Sequence, residues 1–218
     1  MAEPVAPRSA PPQIDGDGDA TIAFYNREAE TYFGRTLSSD VADKRRRFLK
    51  GVPSGGRILD AGSGSGRDTL AFVEAGYRVE AFDASSRLAR LAQSVTGLPV
   101  EVVRFERWRG EPARYDGVWC FASLLHVGGN DLPAVLYKLA TSLKPGGALF
   151  ASFKRGQGTI VDWTGRRFTN LTMDTARSLF GAVEGLGKPE VWEEDGPTAL
   201  DGPMGWVYVL SRRLPERP

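Results

Sequence analysis

Short apolar runs alternate with helix-like segments through the middle of the chain. Five runs are β-rich or continuously apolar, at residues 57–60, 79–82, 100–105, 117–121 and 148–153. Apolar positions at helical spacing separate most of them, at residues 67–75, 85–96 and 131–143. Strands that alternate with helices predict parallel pairing and right-handed crossovers. We therefore predict an α/β fold built on a mostly parallel sheet.

The two ends of the chain follow other patterns. Residues 1–20 are rich in Pro, Asp and Gly and carry too little apolar surface to offset the entropy of ordering, which predicts a disordered tail. We expect a single domain over residues 21–218, in which residues 21–50 form two capping helices, at 21–35 and 39–50. Beyond the fifth strand, the pattern predicts one helix and two strands, at residues 173–184, 190–193 and 206–211.

A glycine-rich turn follows the first strand. Asp60 ends that strand, three glycines alternate with serines over residues 62–66, and the second strand ends at Asp83. A strand, a tight glycine turn, a helix and a second strand are typical of sites for the nucleoside half of a cofactor. A dinucleotide turn, G-x-G-x-x-G, would need glycine where this chain has Arg67, because the third glycine comes one residue early at Gly66.

This G-x-G-x-G turn resembles that of the class I S-adenosylmethionine (SAM) methyltransferases. Other phrases resemble a bacterial small-molecule branch akin to tellurite-resistance-type methyltransferases, at residues 24–25, 64–68, 115–119, 122–127, 143–147, 152–154 and 165–168. The resemblance covers residues 21–170 well and the remainder loosely. It implies a Rossmann-like seven-stranded sheet in the order 3-2-1-4-5-7-6 with the last strand antiparallel. It also implies SAM as cofactor and S-adenosylhomocysteine (SAH) as product.

The resemblance assigns roles around the turn. Gly62 and Gly64 would let the backbone approach the methionine portion, with Asp60 near its ammonium group. Asp83 would take the two ribose hydroxyls, since a carboxylate accepts two charge-assisted hydrogen bonds. Phe105 and Glu106 would flank the adenine, although Glu106 could equally face solvent. Further contacts are expected near the carboxyl ends of the strands, from Ser63, Arg67, Asp68, Ala84, Ala122 and Ser123. Asp68 could equally serve only to favour the N-terminus of its helix.

Two kinds of side chain are candidates for catalysis. His126 is the only histidine and follows the fourth strand. It either accepts a proton from the methyl acceptor or orders its own turn through a backbone hydrogen bond. Tyr25 and Tyr32 lie two helical turns apart, so they share one face. That face either closes over the cofactor, where the rings would favour the sulfonium, or forms a core stripe. Tyr32 is the favoured contact of the two.

A second group of residues follows the fifth strand, where a lid over the acceptor is expected. Lys154, Trp163, Arg166 and Phe168 indicate an anionic or aromatic small substrate, unless these charges are merely solvated on a loop. The segment over residues 195–203 departs from the resemblance, and we expect it to shape the acceptor pocket.

Composition narrows the partner class. The net charge is +1 and there is one cysteine, so neither nucleic acid, an anionic membrane, an internal disulfide nor a thiolate metal site is indicated. No apolar run approaches the roughly 20 residues that span a bilayer, and the N-terminus lacks a signal-peptide core. We expect a cytoplasmic protein without a metal; the oligomeric state stays open.

The function predicted from these observations is transfer of a methyl group from SAM to a small-molecule acceptor at O, N, S or a chalcogen, by in-line displacement. Three alternatives stay open. The site could transfer or cyclise the aminocarboxypropyl arm of SAM, it could belong to an NAD-type oxidoreductase, or the fold could bind a partner without catalysis.

Overall fold

The computed structural model describes residues 17–215, so most of the predicted tail lies outside the described part. Helix α1 begins at Asp17, within that predicted tail. The helices are α1 Asp17–Arg27, α2 Ala29–Thr36, α3 Ala42–Leu49, α4 Arg67–Glu74, α5 Ser86–Thr96, α6 Leu132–Ser142 and α7 Met173–Gly181. The strands are β1 Arg57–Ala61, β2 Arg78–Asp83, β3 Val100–Val102, β4 Tyr115–Cys120, β5 Leu143–Lys154, β6 Gly158–Val161, β7 Arg167–Asn170, β8 Glu190–Pro197 and β9 Pro203–Arg212.

Seven of these strands form one sheet in the order β3-β2-β1-β4-β5-β9-β8. Strands β1 to β5 pair in parallel, whereas β9 pairs antiparallel with both β5 and β8. Because β8 and β9 are the sixth and seventh strands of this sheet along the chain, the predicted order 3-2-1-4-5-7-6 is confirmed. The antiparallel hairpin β6–β7 is an addition that the apolar pattern did not predict.

Several predicted boundaries were wrong by a few residues, each for a local reason. The helix expected over residues 21–35 is interrupted at Glu28, whose φ and ψ of −94° and 15° leave the helical region. The helix expected from residue 39 begins at Ala42, because the Asp40 carboxylate accepts the Ala42 N–H at 2.8 Å. Strand β3 is half its predicted length, because the chain turns at Arg104, whose carbonyl accepts the Trp108 N–H at 2.8 Å.

The central strands β1, β4 and β5 are largely buried on both faces of the sheet, which explains their continuously apolar runs. Trp119 of β4 stacks on Phe150 of β5 with ring centroids 4.2 Å apart, and Phe48 and Phe72 pack against the same indole. All four rings are inaccessible to solvent. This core fixes the strands in register, and the carboxyl ends of β1, β2 and β4 therefore meet at one edge, where the polar residues collect.

No helix in the described part of the chain is both long and apolar enough to cross a membrane. Over the same residues, no group of three or more His, Cys, Asp and Glu side chains is arranged to hold a metal ion.

Candidate active site

The glycine turn lies between β1 and α4 and is held close to its neighbours. The Gly62 and Ser63 N–H groups both donate to the Phe82 carbonyl, at 2.9 and 3.0 Å, which ties the turn to β2. Gly62 has a φ of 77°, and a Cβ there would lie only 2.4 Å from the Cβ of Ser123. Glycine is therefore required at this position both by the left-handed backbone and by the close approach of the loop after β4.

Asp83, the last residue of β2, connects that strand to the turn. Its two carboxylate oxygens accept the Gly64 N–H and the Ser85 N–H, each at 2.8 Å. Burial raises the pKa of Asp83, and these two backbone donors oppose that rise. A carboxylate offers about four lone-pair sites, so the side chain retains acceptor capacity towards the adjoining cavity.

A cavity of about 110 Å³ opens beside Asp83. It brings together eleven of the residues predicted from the sequence: Tyr25, Tyr32, Gly62, Gly64, Asp83, Ala84, Phe105, Glu106, Ala122, Ser123 and His126. Sequence reasoning missed the apolar residues that complete its walls, which are Ile22, Phe82, Leu88, Val103 and Val127. Their helical or strand spacing marks them only as core residues, so no local signal separates them from the rest.

Lys138 was also missed, and it supports one wall of this cavity. Its ammonium group donates to the carbonyls of Phe105 and Glu106, at 2.9 and 2.8 Å, and so holds the loop after β3 against α6. The Phe105 ring packs edge-on against Phe82 with centroids 5.0 Å apart. The loop that borders the cavity is therefore fixed by a cation on a distant helix.

A second cavity, of about 470 Å³, lies along the glycine turn and includes Asp60, Ser63, Arg67 and Asp68. Asp60 is buried and accepts a hydrogen bond from Thr69 Oγ1 at 2.6 Å. Burial, with the nearby Asp68 charge, raises the pKa of Asp60 to about 7. The buried Ser63 hydroxyl has no hydrogen-bond partner in the protein. An unpartnered hydroxyl beside a carboxyl group indicates that this cavity receives a polar group.

Unlike Asp60, Asp68 has a carboxylate that is occupied by several hydrogen-bond donors of the protein. Asp68 accepts from Arg45 at 2.7 Å, from Arg67 at 2.6 Å and from the Trp119 indole N–H at 2.9 Å. Burial alone would raise the pKa of Asp68, but the two guanidinium groups hold it below its usual range. Its contact with Arg67 positions the Arg67 guanidinium over the Phe121 ring.

His126 has a defined proton arrangement. Its Nδ1 lies 2.7 Å from the Arg167 carbonyl, which can only accept, so Nδ1 carries the proton. Its Nε2 therefore accepts from the Tyr25 hydroxyl, 2.9 Å away. Burial, reinforced by the nearby Arg166 and Lys154 charges, lowers the pKa of His126 to about 4. The imidazole is neutral at pH 7, and it both orders its loop and faces the site.

Tyr25 and Tyr32 cover the glycine turn from above. Their rings meet edge to face with centroids 5.3 Å apart. The Tyr32 ring packs so closely that a Cβ at Gly64 would lie 3.3 Å from it. Burial raises the pKa of Tyr32 to about 12 and raises that of Tyr25 further, so both hydroxyls stay protonated at neutral pH.

A third cavity, of about 40 Å³, adjoins the first beneath the tyrosines. Its walls include Lys154 from β5, Arg166 and Phe168 from the β6–β7 hairpin and Trp206 from β9. The turn between β8 and β9 closes it with residues 198–201, which lie inside the segment expected to shape the acceptor pocket. Lys154 lies 3.6 Å from the Phe168 ring centroid, and His126 packs against the same ring at 5.0 Å.

The structure does not bring Trp163 to any of these cavities, contrary to the sequence-based prediction. Trp163 is 84% exposed and lies at the tip of the β6–β7 hairpin. The Asp162 carboxylate accepts the Thr164 and Arg166 N–H groups, at 2.9 and 3.0 Å, and so closes a tight turn. That turn directs Arg166 inward, where it is 3% exposed, and leaves Trp163 outside.

Comparisons with known proteins identify the family and the fold. The family model described as "Methyltransferase domain" matches residues 33–187. A ubiquinone biosynthesis O-methyltransferase of Xanthomonas axonopodis pv. citri is 37% identical over 106 residues, which is 46% of this chain and 44% of the relative. The homologous enzyme of Xylella fastidiosa (strain 9a5c) is 38% identical over 110 residues, 47% of this chain and 44% of its own length. The chain therefore spans less than half the length of these curated relatives.

Solved structures show the same fold at lower identity. The Burkholderia thailandensis 1,6-didemethyltoxoflavin-N1-methyltransferase, solved with its named ligand and SAH, has a TM-score of 0.73 and 22% identity over 96% of this chain and 95% of its own. The Synechocystis magnesium protoporphyrin IX methyltransferase, solved with SAM, has a TM-score of 0.68 and 17% identity over 94% and 100%. These matches do not single out the tellurite-resistance-type branch. The family model covers most of the length of this chain, so the chain belongs to the methyltransferase-domain family.

Proposed function

We propose that the protein transfers a methyl group from SAM to a small-molecule acceptor at O, N, S or a chalcogen. The observation that carries the proposal is the pair of cavities on either side of the glycine turn. One contains Asp83 and a loop of the kind that can flank a purine; the other contains Asp60 and the unpartnered Ser63 hydroxyl. This division suits a ligand with a nucleoside at one end and an amino acid at the other.

The protein groups around these cavities would bind and orient the cofactor. Asp83 accepts hydrogen bonds from the ribose hydroxyls, and Phe105 contacts the adenine, held by the Lys138 contact with its carbonyl. Asp60 attracts the ammonium group of the methionine portion, which the neutral Ser63 hydroxyl can also bond. SAM supplies a methyl group that its sulfonium has already activated.

Residues shared between cavities indicate where the reacting atoms would meet. Tyr32 and Ala122 border all three cavities, and Tyr25 and His126 border the first and third. The Tyr32 ring can stabilise a sulfonium by about 0.5–2 kcal/mol through cation–π attraction. An acceptor in the third cavity would therefore reach the methyl group beneath the two tyrosines.

His126 is a weak base, because burial lowers its pKa to about 4. Its Nε2 holds the Tyr25 hydroxyl, and the Tyr25 oxygen can in turn accept a hydrogen bond from the acceptor. This arrangement positions the acceptor and removes a proton efficiently only when that proton is already acidic. We propose that orientation in line with the methyl group supplies most of the rate enhancement.

Calorimetry with SAM, SAH and NAD tests this function. We expect SAM and SAH to bind with one molecule per chain and NAD not to bind. Tight NAD binding with no binding of SAM or SAH would overturn the proposal in favour of an oxidoreductase. Incubation with SAM alone, followed by mass spectrometry, tests the aminocarboxypropyl alternative: accumulation of methylthioadenosine would indicate cyclisation instead of methyl transfer.

A further inference from the structure

A carboxylate of the protein lies in the acceptor cavity, between two buried cations. Asp201, in the turn between β8 and β9, accepts from Lys154 Nζ at 2.9 Å through one oxygen and from Arg166 Nη2 at 2.7 Å through the other. The turn presents the side chain in this direction because the Thr198 hydroxyl accepts the Asp201 N–H at 2.7 Å and the Gly202 carbonyl accepts the Thr198 N–H at 3.0 Å.

The two cations are deeply buried beside strand ends. Lys154 ends β5 and is 8% exposed, and Arg166 precedes β7 and is 3% exposed. Both lie against the Phe168 ring, with Lys154 Nζ at 3.6 Å and the Arg166 Cζ at 5.0 Å from its centroid. Cations this deeply buried need anionic partners, since desolvation of an unpaired charge is costly.

Charge balance in the cluster depends on Asp201. Arg166 also binds Asp162, at 2.8 Å, which belongs to its own hairpin turn. With Asp201 in position, two cations face two carboxylates. Without it, Lys154 and Arg166 face Asp162 alone, and one positive charge is uncompensated. A single anionic group would restore neutrality.

Asp201 lies where an incoming acceptor could displace it. The third cavity holds about 40 Å³ with Asp201 in position. Its walls come from helices α1 and α2, the loop after β4, the strand residues Lys154, Phe168 and Trp206, the hairpin residue Arg166 and the turn over residues 198–201. Outward movement of that turn would enlarge the cavity and withdraw the Asp201 carboxylate, so that an acceptor could take its place.

We propose that the acceptor is an aromatic monocarboxylate whose carboxylate replaces that of Asp201 between Lys154 and Arg166. The inference rests on the proposed methyltransferase function, because the cavity is an acceptor site only if the cofactor occupies its neighbour. The aromatic body follows from the rings of Phe168, Trp206 and Tyr25, which supply the apolar walls. The Asp201 side chain then acts as an internal competitor that keeps the buried cations paired until the acceptor arrives.

Calorimetry on the protein saturated with SAH tests the inference with three probe pairs: benzoate, 2-naphthoate and indole-3-carboxylate, each against its neutral carboxamide. We expect at least one carboxylate to bind about tenfold more tightly than its carboxamide, because two charge-assisted hydrogen bonds are at stake. Asp201→Asn should tighten carboxylate binding several-fold by weakening the competitor, and Lys154→Met should remove the preference. Asp174→Asn, an exposed acid on α7, is the matched control and should change nothing.

The outcomes separate the two proposals. Absence of SAH binding would overturn the proposed function. Normal SAH binding with no preference for any carboxylate would overturn the inference alone. Asp201→Asn that weakens carboxylate binding while melting and SAH affinity stay normal would also overturn it, because the side chain would then assist the ligand instead of competing with it.

Discussion

The cofactor side and the acceptor side of this site are built in different ways. On the cofactor side, one continuous stretch, residues 60–85, supplies most of the polar groups, and backbone N–H groups in it are bonded to Asp83 and to the Phe82 carbonyl. Tyr32, Phe105 and the loop after β4 complete the walls. The acceptor side is assembled from side chains far apart in the chain, such as Tyr25, His126 and Asp201. The first depends on backbone geometry, and the second depends on packing between elements.

This difference predicts where substitutions act. A change in the glycine turn alters the backbone that the cofactor would contact and that ties the turn to β2. It therefore affects both the stability of the protein and its affinity for the cofactor. A change on the acceptor side removes one side-chain contact and leaves the sheet intact, so it affects selectivity. Substitutions at matched pairs of residues test this contrast.

The largest effect is expected at Asp83. Asp83→Asn removes the charge that two ribose hydroxyls would use, each bond being worth about 1.5 kcal/mol or more. SAH affinity should therefore fall about 100-fold, measured by calorimetry. Glu101→Gln, at an exposed position of β3, is the control and should bind SAH normally. An unchanged SAH affinity in Asp83→Asn would show that the nucleoside does not bind in this cavity.

Gly62 tests whether close approach or backbone conformation matters in the turn. Gly62 and Gly76 share positive φ values, 77° and 84°, but a Cβ at Gly76 would meet nothing within 4 Å. Gly76→Ala should cost about 1 kcal/mol from strain alone. Gly62→Ala adds overpacking against Ser123, a further cost of about 2 kcal/mol. Chemical denaturation measures both, and equal losses would contradict the packing explanation.

The ionisation of Asp60 should make cofactor binding depend on pH. Only the ionised carboxylate attracts the ligand's ammonium group, and the pKa of Asp60 is about 7 in the free protein. SAH affinity should therefore fall as the pH is lowered from 7.5 to 6, by about fivefold to tenfold. Calorimetry across this range checks the slope, and Asp60→Asn should bind more weakly with no such slope. If the SAH affinity of the wild-type protein did not change with pH, the ammonium group would have another partner.

On the acceptor side, Tyr25→Phe removes one hydrogen bond without disturbing the turn. Loss of the bond to His126 Nε2 should lower the free energy of unfolding by about 1 kcal/mol, measured by denaturation. SAH affinity should stay within about twofold, since the ring is retained. Tyr137→Phe, whose residue is 48% exposed, is the matched control and should cost nothing measurable. A large loss of SAH affinity in Tyr25→Phe would mean that the two sides are not separable.

The same contrast explains what the sequence could predict. The individual strands and the residues of the glycine turn follow from apolar periodicity and from local spacing, which the backbone translates directly into structure. The order of the strands in the sheet was implied by the resemblance to class I methyltransferases. Residues 195–203 were expected to shape the acceptor pocket, but the pairing of Asp201 with Lys154 and Arg166 could not be predicted, because these partners lie on other elements. The β6–β7 hairpin was missed for a different reason: all four residues of β6 are exposed, so no alternation of apolar and polar residues marks the strand.

The smallest effect is expected at Trp163. The sequence predicted that this residue contacts the acceptor, but the geometry of the hairpin places it in solvent. Its neighbour Arg166 is buried, so the Asp162 turn separates two residues only three positions apart into solvent and cavity. Trp163→Ala should change the free energy of unfolding by no more than about 0.5 kcal/mol, as exposed substitutions generally do. It should also leave the carboxylate preference of the SAH-bound protein intact in the calorimetric comparison. Loss of that preference would mean that the hairpin folds over the acceptor and that the cavity is completed from outside.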